Sequence, residues 1–292
     1  MRGERDGLIL LDKPSGRTSF DTLSVVKRAL GTGKVGHAGT LDKFARGLLL
    51  VLTGRLTRLV PFLMNLDKEY LAIVRFGTET DTLDPEGEVV CSAAVPSEAV
   101  IRETLPGFVG VIEQVPPVYS AVHHRGKRAY QLVRSGERPD LEARNVRIED
   151  ILVLSFDPPD LVVRVRCSKG TYIRALARDV GRACDSCASL VSLERTRIGP
   201  FSVDDAVTPE RFRPDRDLED SAAFIRKLPA IDAKSVLPGS VDGIRHGRPV
   251  DDQIFEEPPR EDGSFALFTP GGKFAALVER SGGRYRYLGV FV

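Results

Sequence analysis

The sequence predicts an α+β protein, a large region of strands with flanking helices followed by a small β-rich segment. Three observations predict it. Apolar runs of strand length recur between glycine, proline and polar clusters, as at 7–14, 48–52, 69–77, 146–155 and 161–167. Two stretches with helical spacing fall among them, at 19–30 and 173–183. The last sixty-odd residues carry short strand candidates separated by Pro and Gly.

Taken in order, Gly7 to Pro14 is a first strand, ended by Pro14 and Gly16. Thr18 or Ser19 caps a helix in which Leu23, Val26 and Leu30 share a face, and Gly31 closes it. The stretch Val35-Gly-His-Ala-Gly-Thr-Leu-Asp42 is a glycine-bearing loop that runs into the aliphatic Leu48 to Leu52. That run is too short for a membrane span and suits a buried strand. His37 and Asp42 therefore sit on a loop anchored by core structure, where reactive groups are commonly placed.

Glu69 to Gly77 is a further strand, followed by a polar loop at 80–87 and a short strand at Glu88 to Cys91. Ser97 to Leu105 reads as a helix stopped by Pro106-Gly107. From Gln114 to Arg147 the composition turns basic. Pro116-Pro117 opens an irregular segment with Tyr119, His123, His124, Arg125, Lys127, Arg128, Tyr130, Arg134, Arg138, Arg144 and Arg147. Basic residues interleaved with Tyr and His can hold a phosphate backbone while stacking on bases; a solvated surface loop is the alternative.

Val146 to Ser155 and Leu161 to Cys167 are strands, the second alternating Arg164 and Arg166 against Val163 and Val165. A helix then runs to Ala183 with Ile173, Leu176, Ala177 and Val180 on its apolar face. Arg174 lies in its first turn, where a cation opposes the macrodipole. Leu190 to Phe201 brings Leu193, Arg195 and Arg197 into a short element, and Asp204 to Asp220 is an acidic surface connection. Short strands follow at Gly247 to Val250, Ser264 to Thr269, Phe274 to Arg280 and Arg284 to Val292.

Composition excludes several classes. The 292 residues, 42% apolar and 28% charged, are those of an ordinary globular chain. A net charge of +1 does not itself point to nucleic acid, so such a role must come from local clustering. The N-terminal Met1-Arg-Gly-Glu-Arg-Asp6 opens no signal-peptide core, and no membrane span is expected, so a cytoplasmic setting is the default. Cys91, Cys167, Cys184 and Cys187 are too sparse for a disulfide framework. Cys184 and Cys187 have C-x-x-C spacing, but the four histidines show no ligand spacing with them, and no metal is expected.

A set of motifs runs through most of the chain: Leu11-Asp-Lys-Pro-x-Gly-x-Thr-Ser19, Gly36-His-x-Gly-Thr-Leu-Asp42 with Gly47-Leu-Leu49, and Tyr70 followed by Gly77-x-x-Thr-Asp-Thr-x-Asp84. Pro116, Ser120-Ala121, Gly126-Lys-Arg-x-Tyr130, Lys169-Gly-Thr-Tyr-Ile-Arg174 and Leu193-x-Arg195 continue it. In this order they resemble the TruB family of tRNA pseudouridine synthases, in its stand-alone bacterial form. The chain departs from the family pattern after Asp42, where Lys43 stands in place of the usual proline and Arg46 adds a charge. Lys43 leaves φ unfixed, and Arg46 is placed to meet a phosphate or to lower the pKa of Asp42. His123 replaces a common Lys, and Leu193-Glu-Arg195 replaces Leu-Arg-Arg.

The resemblance implies a pseudouridine synthase fold with a mainly antiparallel sheet over residues 1–228, a basic thumb at about 118–147, and a PUA-like RNA-binding domain over 229–292. It implies conversion of uridine to pseudouridine at position 55 in the tRNA T-loop, without metal or organic cofactor. The expected catalytic residues are Asp42 as nucleophile or ion-pairing stabiliser of the detached sugar, Tyr70 stacking on the uracil with its hydroxyl a candidate base for the C5 proton, and Arg174 paired with Asp42. The expected substrate-binding residues are His37 as a base-flipping wedge, Leu193, Lys13, Tyr172, Arg128, Tyr130 and Lys169. The partner implied is the tRNA T-loop and T-arm, bound by a monomer. An RNA-binding protein or chaperone with the same fold, or a synthase acting on another RNA, are the alternatives.

Overall fold

A computed structural model of the chain describes residues 6–124, 126–137, 139–229 and 231–292. Arg125 and Arg138 of the basic segment, and the N-terminal residues Met1 to Arg5, lie outside the described residues.

The strands in chain order are β1 (Gly7–Lys13), β2 (Val35–His37), β3 (Arg46–Thr53), β4 (Lys68–Phe76), β5 (Thr78–Thr80), β6 (Val89–Ser92), β7 (Gly110–Gln114), β8 (His123–His124) and β9 (Lys127–Arg128). They continue with β10 (Arg144–Asp157), β11 (Asp160–Cys167), β12 (Ala188–Ile198), β13 (Phe201–Ser202), β14 (Asp232–Ser235), β15 (Gly263–Phe268), β16 (Phe274–Ser281) and β17 (Arg284–Val290). The helices that matter below are α1 (Ser19–Leu30), α2 (Val60–Met64), α3 (Glu98–Thr104), α4 (Ala129–Arg134) and α5 (Ile173–Ala183).

The main sheet runs β1-β3-β12-β4-β11-β10-β7, with β2 paired to β3 and β13 to β12. It is mainly antiparallel; β3 and β12 are the parallel exception. The unbroken apolar run of β3 is explained by cover on both faces. Leu49 and Val51 pack with Leu23 and Val26 of α1, while Leu48, Leu50 and Leu52 pack with Phe268, Phe274 and Leu277 of the C-terminal strands. A strand buried on both faces has no reason to alternate.

Helix α1 forms where its caps place it. Thr18 accepts from the Asp21 amide, Asp21 reaches back to the Thr18 amide, and Gly31 ends the helix at φ +65°. Helix α5 lays Ile173, Leu176, Ala177 and Val180 on Val163 and Val165 of β11, leaving Arg164 and Arg166 exposed as the alternation predicts.

Several expectations need correcting. Leu190 to Phe201 is not a short element: β12 is a long central strand, bulged near Ser192 and Thr196, so its apolar rhythm breaks. The basic segment is not simply irregular. It holds the β8–β9 hairpin and α4, with Val122, Ala129 and Leu141 packed on Tyr172. Gly247 to Val250 is turn and coil, since Pro249 has no N–H for a ladder; Asp232–Ser235 instead pairs parallel to β15 in the sheet β14-β15-β16-β17. Finally, the cysteines, expected to form no disulfide framework, include one disulfide pair: Cys187 with Cys91, 96 residues upstream, their Cα atoms 6.2 Å apart.

The connection at 204–220 closes the edge of the sheet rather than crossing open surface. Val207 exchanges backbone hydrogen bonds with Leu10 and Asp12, Glu219 exchanges them with Leu8, and Phe212 is buried against α1 and β1 residues. Among the described residues no helix is long and apolar enough to cross a membrane.

Candidate active site

Asp42 lies in the loop between β2 and β3. The loop is shaped by Gly39 and Gly47, both at positive φ, and by Ser19 of α1. The Ser19 hydroxyl accepts from the Leu41 amide at 3.0 Å and donates to the Leu41 carbonyl at 3.2 Å. The Ala45 amide closes a turn onto the Asp42 carbonyl at 3.2 Å. Arg195, fully buried on β12, donates to Leu48 O at 2.8 Å and Gly39 O at 3.1 Å. The residue that carries the carboxylate is thus held from α1 on one flank and from β12 on the other.

Arg174 meets this loop from the first turn of α5. Its Nε lies 2.9 Å from Asp42 Oδ2. The contact is a close ion pair that favours the charged form of the carboxylate. The rest of the guanidinium is tightly held: Nη1 donates to Thr82 O at 2.8 Å and to Asp84 Oδ2 at 3.2 Å, and Nη2 donates to Tyr119 O at 2.9 Å. Asp84 is buried in turn, accepting from Thr82 Oγ1 at 2.6 Å and from the Glu86 amide at 3.0 Å. Beside it Leu83 is buried in the left-handed region at φ +63°, a strained conformation kept in place by the Leu190 amide on its carbonyl.

Burial pushes the Asp42 carboxyl above the usual carboxylate range; Arg174 pulls it back down in part, and Asp84 pushes it up again. The side chain keeps 39% of its surface open, so this is a walled cleft rather than a sealed chamber. Tyr70 of β4 is almost wholly buried, and burial raises its phenol pKa above the ordinary value while the Arg195 charge lowers it. A phenol pushed upward is a poor base at neutral pH and a good stacking surface.

The cleft over Asp42 has a volume of about 740 Å³, within the size range of small-molecule and base pockets. Six of the residues expected at the site line it: Asp42, Tyr70, Lys169, Tyr172, Arg174 and Leu193. Lys169 donates to Asn65 Oδ1 at 2.7 Å on the rim. Four expected residues do not line it, though the Lys13 charge acts on Asp42. Lys13 is fully buried and donates to Pro14 O at 3.0 Å and Arg17 O at 2.6 Å; burial lowers its pKa to about 8. His37 is on β2, with Nδ1 buried and without a hydrogen-bond partner, and burial holds its pKa below the ordinary value. Arg128 is exposed on β9, and Tyr130 is half-buried on α4. Arg46 faces neither Asp42 nor open solvent alone: it pairs with Glu194 at 2.7 Å.

Sequence reasoning assigned no role to Asp84, Arg195 or Lys68. The Thr82-x-Asp84 spacing of a side-chain-closed turn was the available signal for Asp84. Lys68 lines the cleft with its ammonium on Met64 O and Leu66 O, and burial lowers its pKa to about 8. A wider groove, about 1120 Å³, lies among the C-terminal strands; its wall carries six acidic residues, and Asp262 there pairs with Arg280 at 3.1 Å. Among the described residues no group of His, Cys, Asp and Glu is arranged to hold a metal.

Residues 27–173 match the model of the TruB family pseudouridylate synthase N-terminal domain. A tRNA pseudouridine synthase B from Bordetella parapertussis is 44% identical over 77% of this chain and 94% of its own length. The chain belongs to the TruB family. Proteins of the same description from Borrelia garinii and Thermobifida fusca are each 38% identical, the first over 98% of this chain and 99% of its own, the second over 98% of both. A solved Cbf5-Nop10-Gar1 complex contains a chain with a TM-score of 0.74 and 26% identity, covering 99% of this chain and 85% of that one. An H/ACA RNP bound to a substrate RNA contains one with a TM-score of 0.74 and 23% identity over 98% and 85%, a likeness of fold. The pseudouridine synthase fold and the mainly antiparallel sheet expected from the TruB motifs are therefore present.

Proposed function

We propose that this chain converts uridine to pseudouridine at position 55 in the T-loop of tRNA, with Asp42 as the nucleophile. One observation carries this reading: a single buried guanidinium, Arg174, joins the Asp42 carboxylate to Asp84 at the floor of a cleft that Tyr70 also lines. The reaction breaks N1–C1′ and forms C5–C1′; a proton leaves C5 and N1 ends protonated, with no change in oxidation state. An anion beside the reacting sugar or base is what this exchange requires. Arg174 favours the charged form of Asp42 against the burial that opposes it. Tyr70 provides the face on which an extruded uracil stacks, with Leu193 on the apolar side.

The remaining assignments follow the same reading. His37 enters the T-loop where the extruded nucleotide had been, and the basic segment at about 118–147 closes on the RNA as a thumb. Residues 229–292 form a PUA-like domain on the acceptor side of the tRNA, and the chain works as a cytoplasmic monomer. Names of the relatives support tRNA as the substrate. The test is incubation with an unmodified tRNA transcript, followed by carbodiimide-adduct mapping of pseudouridine. Product at position 55 with wild-type protein, and none with Asp42→Asn at equal RNA binding, is the expected result. Full product from Asp42→Asn would overturn the nucleophile, and product elsewhere only would overturn the position.

A further inference from the structure

The residue after Asp42 is a lysine, and its side chain is neither loose nor aimed at Asp42. Lys43 Nζ lies 2.9 Å from Glu86 Oε1, across a sequence gap of 43 residues. Glu86 belongs to the same short loop as Thr82 and Asp84, and its own amide donates to Asp84 Oδ1 at 3.0 Å. The contacts close a ring. From Asp42 it passes through Arg174 to Asp84, through the Glu86 backbone to the Glu86 carboxylate, and through Lys43 back to Asp42. The inner bridge, Arg174, is buried; the outer one is about half exposed on both partners.

We propose that Lys43 and Glu86 are positioning residues: their ion pair is a second strut that fixes the Asp42 loop against the loop bearing Asp84. This rests on the reading of Asp42 as the nucleophile. The backbone at position 43 needs such a strut because lysine does not fix φ. The Lys43 carbonyl is already engaged, accepting from the Gly16 amide at 2.8 Å and weakly from Lys13 Nζ at 3.5 Å. Those contacts hold the loop toward β1, whereas Lys43–Glu86 holds it directly toward the Thr80–Gly87 loop, beside the link through Arg174. A strut one residue from the carboxylate adds to the orientation that the 2.9 Å Arg174 contact gives it. Because the pair is exposed, its effect is small and screened by salt, unlike that of the Arg174 bridge.

The test is a charge-exchange cycle on the full chain: Lys43→Glu, Glu86→Lys, and the double exchange, with Asp42→Asn alongside. Each is assayed for kcat and KM on the tRNA transcript, with thermal melting to confirm folding. The expected result is a kcat about two- to fivefold lower in each single variant, the size of an exposed pair's contribution. The double exchange restores kcat to within about twofold, and high salt brings wild-type kcat toward that of the singles. Unchanged kcat in both singles, or no recovery in the double, overturns the strut. If Lys43→Glu raises KM, Glu86→Lys lowers it and the double shows simple addition, Lys43 contacts RNA phosphate instead, and the proposal falls. An active Asp42→Asn removes the reading beneath the proposal; an inactive one with wild-type strut variants removes the strut alone.

Discussion

Asp84 and Arg174, ninety residues apart in sequence, form an ion pair at 3.2 Å in which both side chains are buried. Arg174 meets Asp42 with its Nε, so the second carboxylate fixes the cation that the first one needs. Replacing Asp84 by Asn keeps the shape but removes the charge from a buried pair. A charge-assisted hydrogen bond of this kind contributes about 1.5–3 kcal/mol, so we expect a thermal midpoint lower by several degrees and a clear loss in kcat. Wild-type kcat together with an unchanged midpoint would show that Asp84 does not anchor Arg174.

The same pair sets a pH dependence with a definite sign. Burial places the Asp42 pKa above the usual carboxylate value, and Asp84 contributes to that rise. With Asp42 as the proposed nucleophile the reactive form is ionised, so the single-turnover rate should rise with pH through the Asp42 pKa. The acid limb therefore lies above the value near 4 of a free aspartate. In Asp84→Asn one negative neighbour is gone, and the limb moves to lower pH even though the plateau rate falls. A pH–rate series on both proteins measures this; a limb that stays put or moves upward contradicts the electrostatic account.

Gly47 permits a closeness that no other residue allows. It sits at φ +107°, and a Cβ there would lie 2.5 Å from the Arg195 carbonyl oxygen. Gly47 and Arg195 are register partners where β3 runs parallel to β12. Arg195 in turn holds the Gly39 carbonyl at the start of the Asp42 loop. Gly47→Ala should destabilise the chain by about 1–3 kcal/mol from backbone strain alone, with the midpoint down by roughly 2–4 °C for each of those kcal/mol. Activity should fall further than stability requires. Calorimetry with matched assays below the transition separates the two effects.

Local signals carried much of this fold to the reader of the sequence. The Thr18 and Gly31 caps mark both ends of α1, and the alternation of Val163 and Val165 with Arg164 and Arg166 marks β11. Long-range partners were less legible. Nothing near Cys187 in sequence points to Cys91, and nothing near Leu193 announces a central strand, because the bulges of β12 disturb its period. At the site, Asp42 and Arg174 were paired through family motifs, whereas the surroundings of Lys13 were not legible from its type. The resemblance implies a substrate contact, and in the structure three backbone carbonyls hold the Lys13 ammonium inside, where its charge acts on Asp42.

The basic segment gives the last prediction. Lys127 and Arg128 form the exposed strand β9, which pairs with β8 in a hairpin beside α4. Neither lines the Asp42 cleft, so their contribution should be to RNA binding and not to the chemical step. Phosphate contacts release counterions, and each lost contact lowers the salt slope of log affinity by about 0.7–0.9. The double variant Lys127→Ala/Arg128→Ala should raise KM and flatten the salt dependence by roughly twice that amount, with kcat at saturating RNA unchanged. Titrating tRNA binding from low to moderate salt measures the slope. An unaltered slope would leave these cations as surface charge, and a lower kcat with unaltered binding would place them in the closure step instead.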